Sequence, residues 1–318
     1  MTSKCGQHHI NQIVLKYKTF IFDCDGVLYK SKGAIDHAFD FLHQLKKKDK
    51  QILFLTNNSL FKRSEVGHKL KSFGNFDTED EKIYTSCYLA ADYLKTYYPT
   101  KTKVYAIGRP VLIEELRSKG FEVIDSAIHN SKYGAVKFDE EDVKMLKEIE
   151  AVVVGFDEYL NYYKMSFASV AIQNGAVFIA TNSDRSTGLM KVGDFSSAGT
   201  GCFVQAIEAA CNKKAIITGK PNVASLELII KHHNFAKPDS VFIGDDLYSD
   251  IKFSNNAGID SLLVLTGTTS HEMFLNTQEK AHEECGKPTY VFENLRYEEE
   301  AGKGGQKGQE GARMSSKE

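Results

Sequence analysis

The sequence predicts an α/β protein in which a Rossmann-like core of parallel strands carries an inserted, smaller α/β cap domain. Apolar runs of strand length alternate with amphipathic helical segments such as 37–48 and 223–232, which is typical of a parallel sheet. Several of these runs end in polar residues. The segment between Thr56 and Lys220 is far longer than the crossover helix that joins neighbouring parallel strands, which indicates an inserted domain.

Five apolar runs are predicted to be strands of the core sheet because each is bounded by turn residues. Parallel strands present their C-terminal ends at one edge, where ligands bind in such folds. We therefore expect the polar residues after these runs to meet. The runs are residues 19–22, 51–55, 215–218, 240–243 and 261–265, and they lead into Asp23, Thr56, Gly219-Lys220-Pro221, Gly244-Asp245-Asp246 and Thr266-Gly267-Thr268.

The insertion has strand-like runs and helical patterns of its own, which predicts that it folds as a second α/β unit. We assign residues 15–99 and 215–296 to the catalytic core and 100–214 to the cap. Residues 1–14 are expected to be flexible. After Arg296 the composition changes to Glu, Gly, Lys, Gln and Ser, which predicts a disordered tail over 297–318.

Composition excludes several classes of partner. The 318 residues carry a net charge of −2, and Lys and Arg are scattered, so we expect no nucleic-acid partner. The N-terminus lacks the apolar core of a signal peptide and no run approaches membrane-spanning length, so we expect a cytoplasmic protein without a membrane partner. The cysteines show no C-x-x-C spacing, which argues against a zinc ribbon or a thioredoxin-type redox pair.

Asp23-Cys24-Asp25-Gly26 has two interpretations. Asp-Gly between two apolar runs is a common hairpin turn. Alternatively, two carboxylates one residue apart after a buried strand are partners for a cation. The hairpin leaves the matching polar ends at Thr56, Lys220 and Asp245 unexplained, so the convergence favours an active site. Cys24 is either a small core residue or a thiol whose oxidation would interfere with the site.

The residue types at these strand ends suit phosphate chemistry with magnesium. The Thr56 hydroxyl, the Asn57 backbone N–H and the Lys220 ammonium are donors for phosphate oxygens. Asp23, Asp25 and Asp245 supply hard oxygen ligands without His or Cys, which favours Mg²⁺ over zinc.

A carboxylate can attack phosphorus and form an acyl phosphate that water then hydrolyses, and Asp23 fits that role. Asp25 could protonate the departing alkoxide and later deprotonate the attacking water. Asp250, five residues after Asp245, could orient Lys220 or a metal-bound water.

Four motifs in this order resemble the haloacid dehalogenase-like hydrolases: Asp23-x-Asp25-Gly26-Val27, Thr56-Asn57-Asn58-Ser59, Gly219-Lys220-Pro221 and Gly244-Asp245-Asp246-x-x-x-Asp250. The long insertion is similar to that of the type IIA-capped phosphatases, the 4-nitrophenylphosphatase and phosphoglycolate phosphatase group. The resemblance implies a phosphoric monoester hydrolase with Asp23 as nucleophile, Asp25 as acid/base, a phosphate loop of Thr56, Asn57 and Asn58, and magnesium held by Asp23, the Asp25 backbone carbonyl and Asp245. It also implies a homodimer formed through the cap.

Specificity is expected to depend on the cap. We hypothesise that Asn182, Asp184 and Arg185, which follow a cap strand, approach the site, where Arg185 could pair with a carboxylate such as that of phosphoglycolate. A solvated loop is the alternative. The expected substrate is a small phosphate ester, with 4-nitrophenyl phosphate as an artificial one. Phosphoproteins, pyridoxal phosphate and a catalytically silent binding role remain alternatives, although residues 185–188 lack the histidine of the pyridoxal phosphate-specific members.

Overall fold

The computed structural model describes residues 8–133, 137–192, 195–279 and 285–297. Its strands are β1 (Thr19–Phe22), β2 (Tyr29–Lys30), β3 (Gly33–Ala34), β4 (Gln51–Thr56), β5 (Ile83–Thr85), β6 (Lys103–Ile107), β7 (Glu122–Asp125), β8 (Ala151–Val154), β9 (Val177–Ala180), β10 (Ser186–Val192), β11 (Phe195–Ala198), β12 (Ile216–Ile217), β13 (Ser240–Gly244), β14 (Asp260–Val264) and β15 (Tyr290–Phe292).

The α-helices cover the faces of two larger sheets. They are α1 (His8–Lys16), α2 (Ala38–Lys47), α3 (Arg63–Gly74), α4 (Ser86–Tyr97), α5 (Pro110–Ser118), α6 (Glu140–Glu148), α7 (Tyr162–Gln173), α8 (Thr200–Cys211), α9 (Ala224–His233), α10 (Lys252–Ala257) and α11 (His271–Glu279). Among the described residues, none of these helices combines the length and the apolar character that crossing a membrane requires.

The first sheet has six parallel strands in the order β15-β14-β13-β1-β4-β5. Strand β1 lies in its interior and is buried along its whole length. Phe20 and Phe22 pack into the hydrophobic cluster on one face, whereas Ile21 packs into the cluster on the other. A sheet covered on both faces explains why its strands are continuous apolar runs.

The second sheet has five parallel strands in the order β12-β9-β8-β6-β7. Its strands lie between β5 and β13 of the first sheet in sequence. Two parallel sheets, the second formed by an insertion, confirm the predicted fold class.

Strand β12 differs from its prediction. Residues 215–218 were expected to contribute to the core sheet, but Ile216 and Ile217 pair with Ile179 and Ala180 of β9 in the second sheet. The assignment of the segment from 215 onward to the core is therefore wrong for this strand. The Lys220 side chain extends from the edge of the second sheet to Asp23 at the end of β1 in the first sheet.

Helix α4 packs against both sheets. Its Cys87, Ala90, Ala91 and Leu94 belong to a cluster with the second-sheet strands, at the spacing of one helical face. Leu89, on another face, packs with residues of the first sheet and of α9. The helix thus fixes the position of one sheet relative to the other.

The N-terminal prediction also needs correction. Residues 1–14 were expected to be flexible, but 8–14 belong to α1, whose Ile10, Ile13 and Val14 are buried in the core cluster beside the first sheet. These positions follow the i, i+3, i+4 spacing of an amphipathic helix. The remaining residues of the predicted flexible start, and 298–318 of the predicted tail, lie outside the described residues.

Candidate active site

A cluster of three aspartates and a lysine lies at the C-terminal edge of the first sheet. Asp23 follows β1 and Asp245 follows β13, and these strands are neighbours, with Phe22 paired to Ile243. The Nζ atom of Lys220 lies 2.7 Å from Asp23 Oδ1 and 2.7 Å from Asp250 Oδ1. All four side chains are buried. We call Asp23, Lys220, Asp245 and Asp250 the carboxylate cluster.

Asp250 occupies a supporting position within this cluster. One of its oxygens accepts from Lys220, and the other accepts the backbone N–H groups of Asp245 at 3.0 Å and Asp246 at 3.2 Å. Asp250 therefore holds both the lysine and the turn that carries Asp245. Both of its oxygens are used by the protein itself.

The carboxylate cluster contains more negative than positive groups. Burial raises the pKa of Asp23, Lys220 acts against that shift, and Asp250 and Asp245 add to it. Burial alone would lower the pKa of Lys220, but Asp23 and Asp250 outweigh it and raise this pKa. Burial and Asp250 raise the pKa of Asp245 to about 7. The lysine stays charged, and the carboxylates compete for a cation.

The donor set fits a hard divalent cation. Oxygen atoms of Asp23, Asp245 and Asp250 lie within 4.8 Å of one another. The sequence predicted a metal group of Asp23, Asp245 and Asp25, the last through its backbone carbonyl, with Asp250 in a supporting role. The structure adds Asp250 to the carboxylates, and the Asp25 side chain is not part of the group. Because both Asp250 oxygens are already bound, Asp23 and Asp245 are the carboxylates better suited to hold a metal. A cluster of carboxylate oxygens without sulfur or imidazole suits Mg²⁺.

Asp25 lies beside this cluster and is exposed. Its Oδ2 accepts from Asn58 Nδ2 at 3.2 Å. The next residue, Gly26, has φ +87°, and a Cβ there would lie 2.4 Å from Asp245 Oδ2. The chain must therefore carry glycine where it bends past the carboxylate cluster. Since β1 pairs with β4 and β13, the alternative of a hairpin turn at Asp23-Gly26 is excluded.

The predicted phosphate loop follows β4. Thr56 is buried, and its Oγ1 accepts the backbone N–H of Asn58 at 3.1 Å. The Asn57 side chain contacts the backbone of Lys220, with Oδ1 accepting from Lys220 N at 2.9 Å and Nδ2 donating to Lys220 O at 3.0 Å. The structure thus joins the loop to Lys220 through hydrogen bonds between the Asn57 side chain and the Lys220 backbone.

The three predicted cap residues occupy different environments. Asn182 is buried and donates from Nδ2 to the Asn57 carbonyl oxygen at 3.0 Å, and Asp184 Oδ1 accepts from Asn57 Nδ2 at 3.0 Å. Arg185 is exposed. Asn182 and Asp184 therefore contact the predicted phosphate loop, while Arg185 lies at the surface of the loop that follows β9.

Sequence reasoning gave no role to the loop after β14. Thr268 N donates to Asp245 Oδ2 at 2.5 Å, and Thr266 Oγ1 donates to the Gly26 carbonyl at 2.7 Å. The sequence did contain a signal for this loop, because the apolar run 261–265 also ends in polar residues.

Asp246 and Cys24 lie next to cluster members without joining them. Asp246 accepts the N–H groups of Tyr248 and Ser249 and so caps the turn 247–251. Cys24 is fully buried, and burial together with Asp23 and Asp25 raises the pKa of its thiol well above the usual range. A thiol in this state is a poor nucleophile.

Comparison with known proteins identifies the family. Residues 20–122 match the model of the haloacid dehalogenase-like hydrolases, and residues 217–297 match a related model described as HAD-hydrolase-like. The chain is 34% identical over 276 residues to phosphoglycolate phosphatase 1A, chloroplastic, of Arabidopsis thaliana, covering 85% of this chain and 74% of that one.

Solved structures show the same architecture. The 4-nitrophenylphosphatase of Thermotoga maritima superposes with a TM-score of 0.72 at 29% identity, covering 89% of this chain and 96% of that one. A glycerol phosphate phosphatase of Mycobacterium tuberculosis, solved in complex with magnesium, superposes with a TM-score of 0.71 at 25% identity, covering 89% and 77%. The chain belongs to the haloacid dehalogenase-like hydrolases, and the predicted enzyme class, a phosphoric monoester hydrolase of this family, is confirmed.

Proposed function

We propose that the protein hydrolyses small phosphate monoesters in a magnesium-dependent reaction that passes through a phosphorylated Asp23. The carboxylate cluster carries this proposal. Lys220 is held between Asp23 and Asp250 at 2.7 Å from each, next to Asp245, at the edge where parallel α/β sheets bind ligands. Magnesium held by Asp23, Asp245 and the Asp25 backbone carbonyl would neutralise charge on the transferring phosphoryl group.

The contacts of Asp23 support its role as the nucleophile. Its Oδ1 is fixed by Lys220, and its side chain retains 10% exposure at the sheet edge. Attack by the carboxylate on phosphorus forms an O–P bond and breaks the bond to the leaving alkoxide. Water then attacks the same phosphorus, which releases inorganic phosphate and restores the Asp23 carboxylate.

The position of Asp25 supports its role as the acid and base that moves the proton. It is exposed and lies outside the carboxylate cluster, and Asn58 holds its Oδ2 at 3.2 Å. In the first step it donates a proton to the departing alkoxide, and in the second it accepts a proton from the attacking water. Lys220 holds a positive charge near the phosphoryl oxygens in both steps.

The proposed substrate class is a short phosphate ester. The relatives described above act, by name, on phosphoglycolate, 4-nitrophenyl phosphate and glycerol phosphate. The loop after β9 contacts the phosphate loop directly, through Asn182 and Asp184. That contact places the insertion close to the site and favours a small leaving group over a folded phosphoprotein.

Substitution of the proposed nucleophile tests the mechanism. Asp23→Asn should lower kcat by at least about a thousand-fold on 4-nitrophenyl phosphate, because the amide cannot attack phosphorus. Asp40→Asn, at an exposed position of α2, is the matched control and should retain activity. Mass spectrometry of acid-quenched wild-type enzyme should detect phosphorylated Asp23. Hydrolysis by Asp23→Asn at the wild-type rate would contradict the proposal.

A substrate panel separates the alternatives. Purified protein is assayed with magnesium and with a chelator on phosphoglycolate, glycerol phosphate, pyridoxal phosphate and phosphoserine peptides. The proposal expects the highest kcat/KM on the first two. Higher values on the peptides would instead identify a phosphoprotein phosphatase, and no hydrolysis of any ester would leave a binding role on the same scaffold.

A further inference from the structure

We propose that Asp184 is a positioning residue that acts through Asn57 to hold Lys220 in place, so that the loop after β9 in the second sheet controls the chemical step. This inference rests on the proposed function, since it assigns a consequence to the position of Lys220. It differs from the expectation that Asp184 and its neighbours select the substrate.

Both N–H donors of the Asn57 side chain are used by protein contacts. A carboxamide has two N–H donors, and these are the groups that could bind a phosphate oxygen. Nδ2 donates to Asp184 Oδ1 at 3.0 Å and to Lys220 O at 3.0 Å, and Oδ1 accepts from Lys220 N at 2.9 Å. Binding phosphate with this side chain would break one of these bonds. The backbone N–H of Asn57 stays the group predicted for that purpose.

Asp184 is itself held by the second sheet and the helix that follows it. Its N–H donates to Asn182 Oδ1 at 3.2 Å, and its carbonyl accepts from Gly201 N at 2.8 Å, at the start of α8. A Cβ at Gly201 would lie 2.3 Å from the Ser183 carbonyl oxygen, so helix and loop are in close contact. The backbone of Asp184 is therefore fixed at both its N–H and its carbonyl, and its carboxylate accepts from Asn57 at a defined position.

The turn that precedes Lys220 packs closely against Asn57 and against the strand end that leads to Asp184. A Cβ at Gly219 would lie 2.6 Å from the Thr181 carbonyl and 2.8 Å from Asn57 Oδ1, so the turn before Lys220 has no space to shift independently. Lys220 Nζ in turn lies 2.7 Å from Asp23 Oδ1. Burial raises the pKa of Asp184 to about 6, with Asn57 and Lys220 acting against the shift, so the acceptor is mainly ionised at neutral pH.

Kinetics of Asp184→Ala, Asn57→Ala and the double variant test this chain of contacts. Misplacement of a catalytic group by about 1 Å can lower a rate by about a hundred-fold, so Asp184→Ala should lower kcat by roughly ten- to a hundred-fold. KM and the inhibition constant of inorganic phosphate should rise by a smaller factor than kcat falls, because the other predicted phosphate donors, Thr56 and the Asn57 backbone N–H, are not removed. The double variant should be no slower than the slower single variant, since the two residues act as one unit. Asp184→Asn keeps an acceptor oxygen and should stay within a few-fold of wild type.

Hydrogen exchange gives a readout that does not depend on turnover. The Lys220 amide donates to Asn57 Oδ1, so Asp184→Ala should accelerate deuterium uptake in a peptide spanning residues 216–222, whereas Asp184→Asn should not. Unchanged deuterium uptake in Asp184→Ala would overturn the inference. This measurement does not require activity. An inactive wild type would contradict the proposed function by itself.

Two kinetic results would also overturn it. In the first, Asn57→Ala weakens inhibition by inorganic phosphate while Asp184→Ala leaves kcat unchanged, which would make Asn57 a phosphate ligand. In the second, the losses of the two single variants multiply in the double variant, which would show that the residues act independently.

Discussion

A buried lysine is bonded to aspartate at two places, one beside each sheet, and the two arrangements differ in charge balance. Beside the second sheet, Lys164 Nζ of α7 lies 2.6 Å from Asp157 Oδ2 in the loop after β8, and both side chains are buried. At the edge of the first sheet, Lys220 is shared by Asp23 and Asp250, with Asp245 beside them. Lys164 and Asp157 balance each other. The carboxylate cluster has three carboxylates for one lysine.

This difference separates a structural ion pair from a reactive site. A balanced pair already has the charge partner that burial requires, and removing one member leaves a buried charge alone. An unbalanced cluster keeps its excess negative charge available for a metal ion. Burial of a charged pair alone would therefore not single out the proposed site, whereas the surplus of carboxylates supports it.

The largest expected effect comes from replacing each lysine by methionine. Lys220→Met should lower kcat by about a hundred- to a thousand-fold, the size seen when one electrostatic donor is removed from an active site. Lys164→Met should destabilise the fold by about 3–5 kcal/mol, because Asp157 stays buried without a positive partner and, among the described residues, keeps only the N–H of Tyr159. Denaturant unfolding and steady-state kinetics on both variants provide the comparison. A larger loss of kcat in folded Lys164→Met than in Lys220→Met would contradict it.

The effect of magnesium on thermal stability should depend on the carboxylate cluster and not on the Lys164–Asp157 pair. A ligand that binds only the folded state stabilises it by about 2.7 kcal/mol at a hundred times its Kd. We expect magnesium to raise the Tm of the wild type and of Asp157→Asn, and a chelator to reverse the rise. Asp245→Asn should lose most of this response because it removes a carboxylate of the cluster. An equal magnesium response in Asp245→Asn would place the cation elsewhere.

The smallest expected effect concerns acid stability of the second sheet. Burial lowers the pKa of His129, although Asp142 opposes the shift. Nδ1 of the ring lies 2.9 Å from the Tyr105 hydroxyl, and Nε2 lies 3.3 Å from Asp142 Oδ1. The unfolded chain therefore binds a proton more readily than the folded one. Stability should fall as pH drops below about 6.5, the pKa of an unperturbed histidine.

His129→Gln provides the matched control, since glutamine can hydrogen-bond but does not titrate. The difference in Tm between wild type and this variant should change in that pH window and level off above it. A difference that is the same at all pH values would show that His129 does not couple folding to pH.

The sequence by itself determined the parallel α/β architecture, the insertion and the residues at the strand ends. These depend on local patterns: apolar runs of strand length, the helical spacing between them and the polar residues that follow. Asp23, Thr56 and Asp245 could be grouped because the C-terminal ends of parallel strands share one edge. The order of the four motifs then identified the family.

Only the tertiary structure decided which long-range partners these elements take. Ile216-Ile217 is too short and too uniformly apolar for its sequence to specify a sheet, and it pairs with β9 in the second one. The Asn57 side chain turned out to bind Lys220 and Asp184, and the acidic cluster includes Asp250 rather than the Asp25 side chain. Periodicity encodes which face of an element is buried, whereas the partner of a short strand or of a single carboxylate depends on contacts between distant parts of the chain.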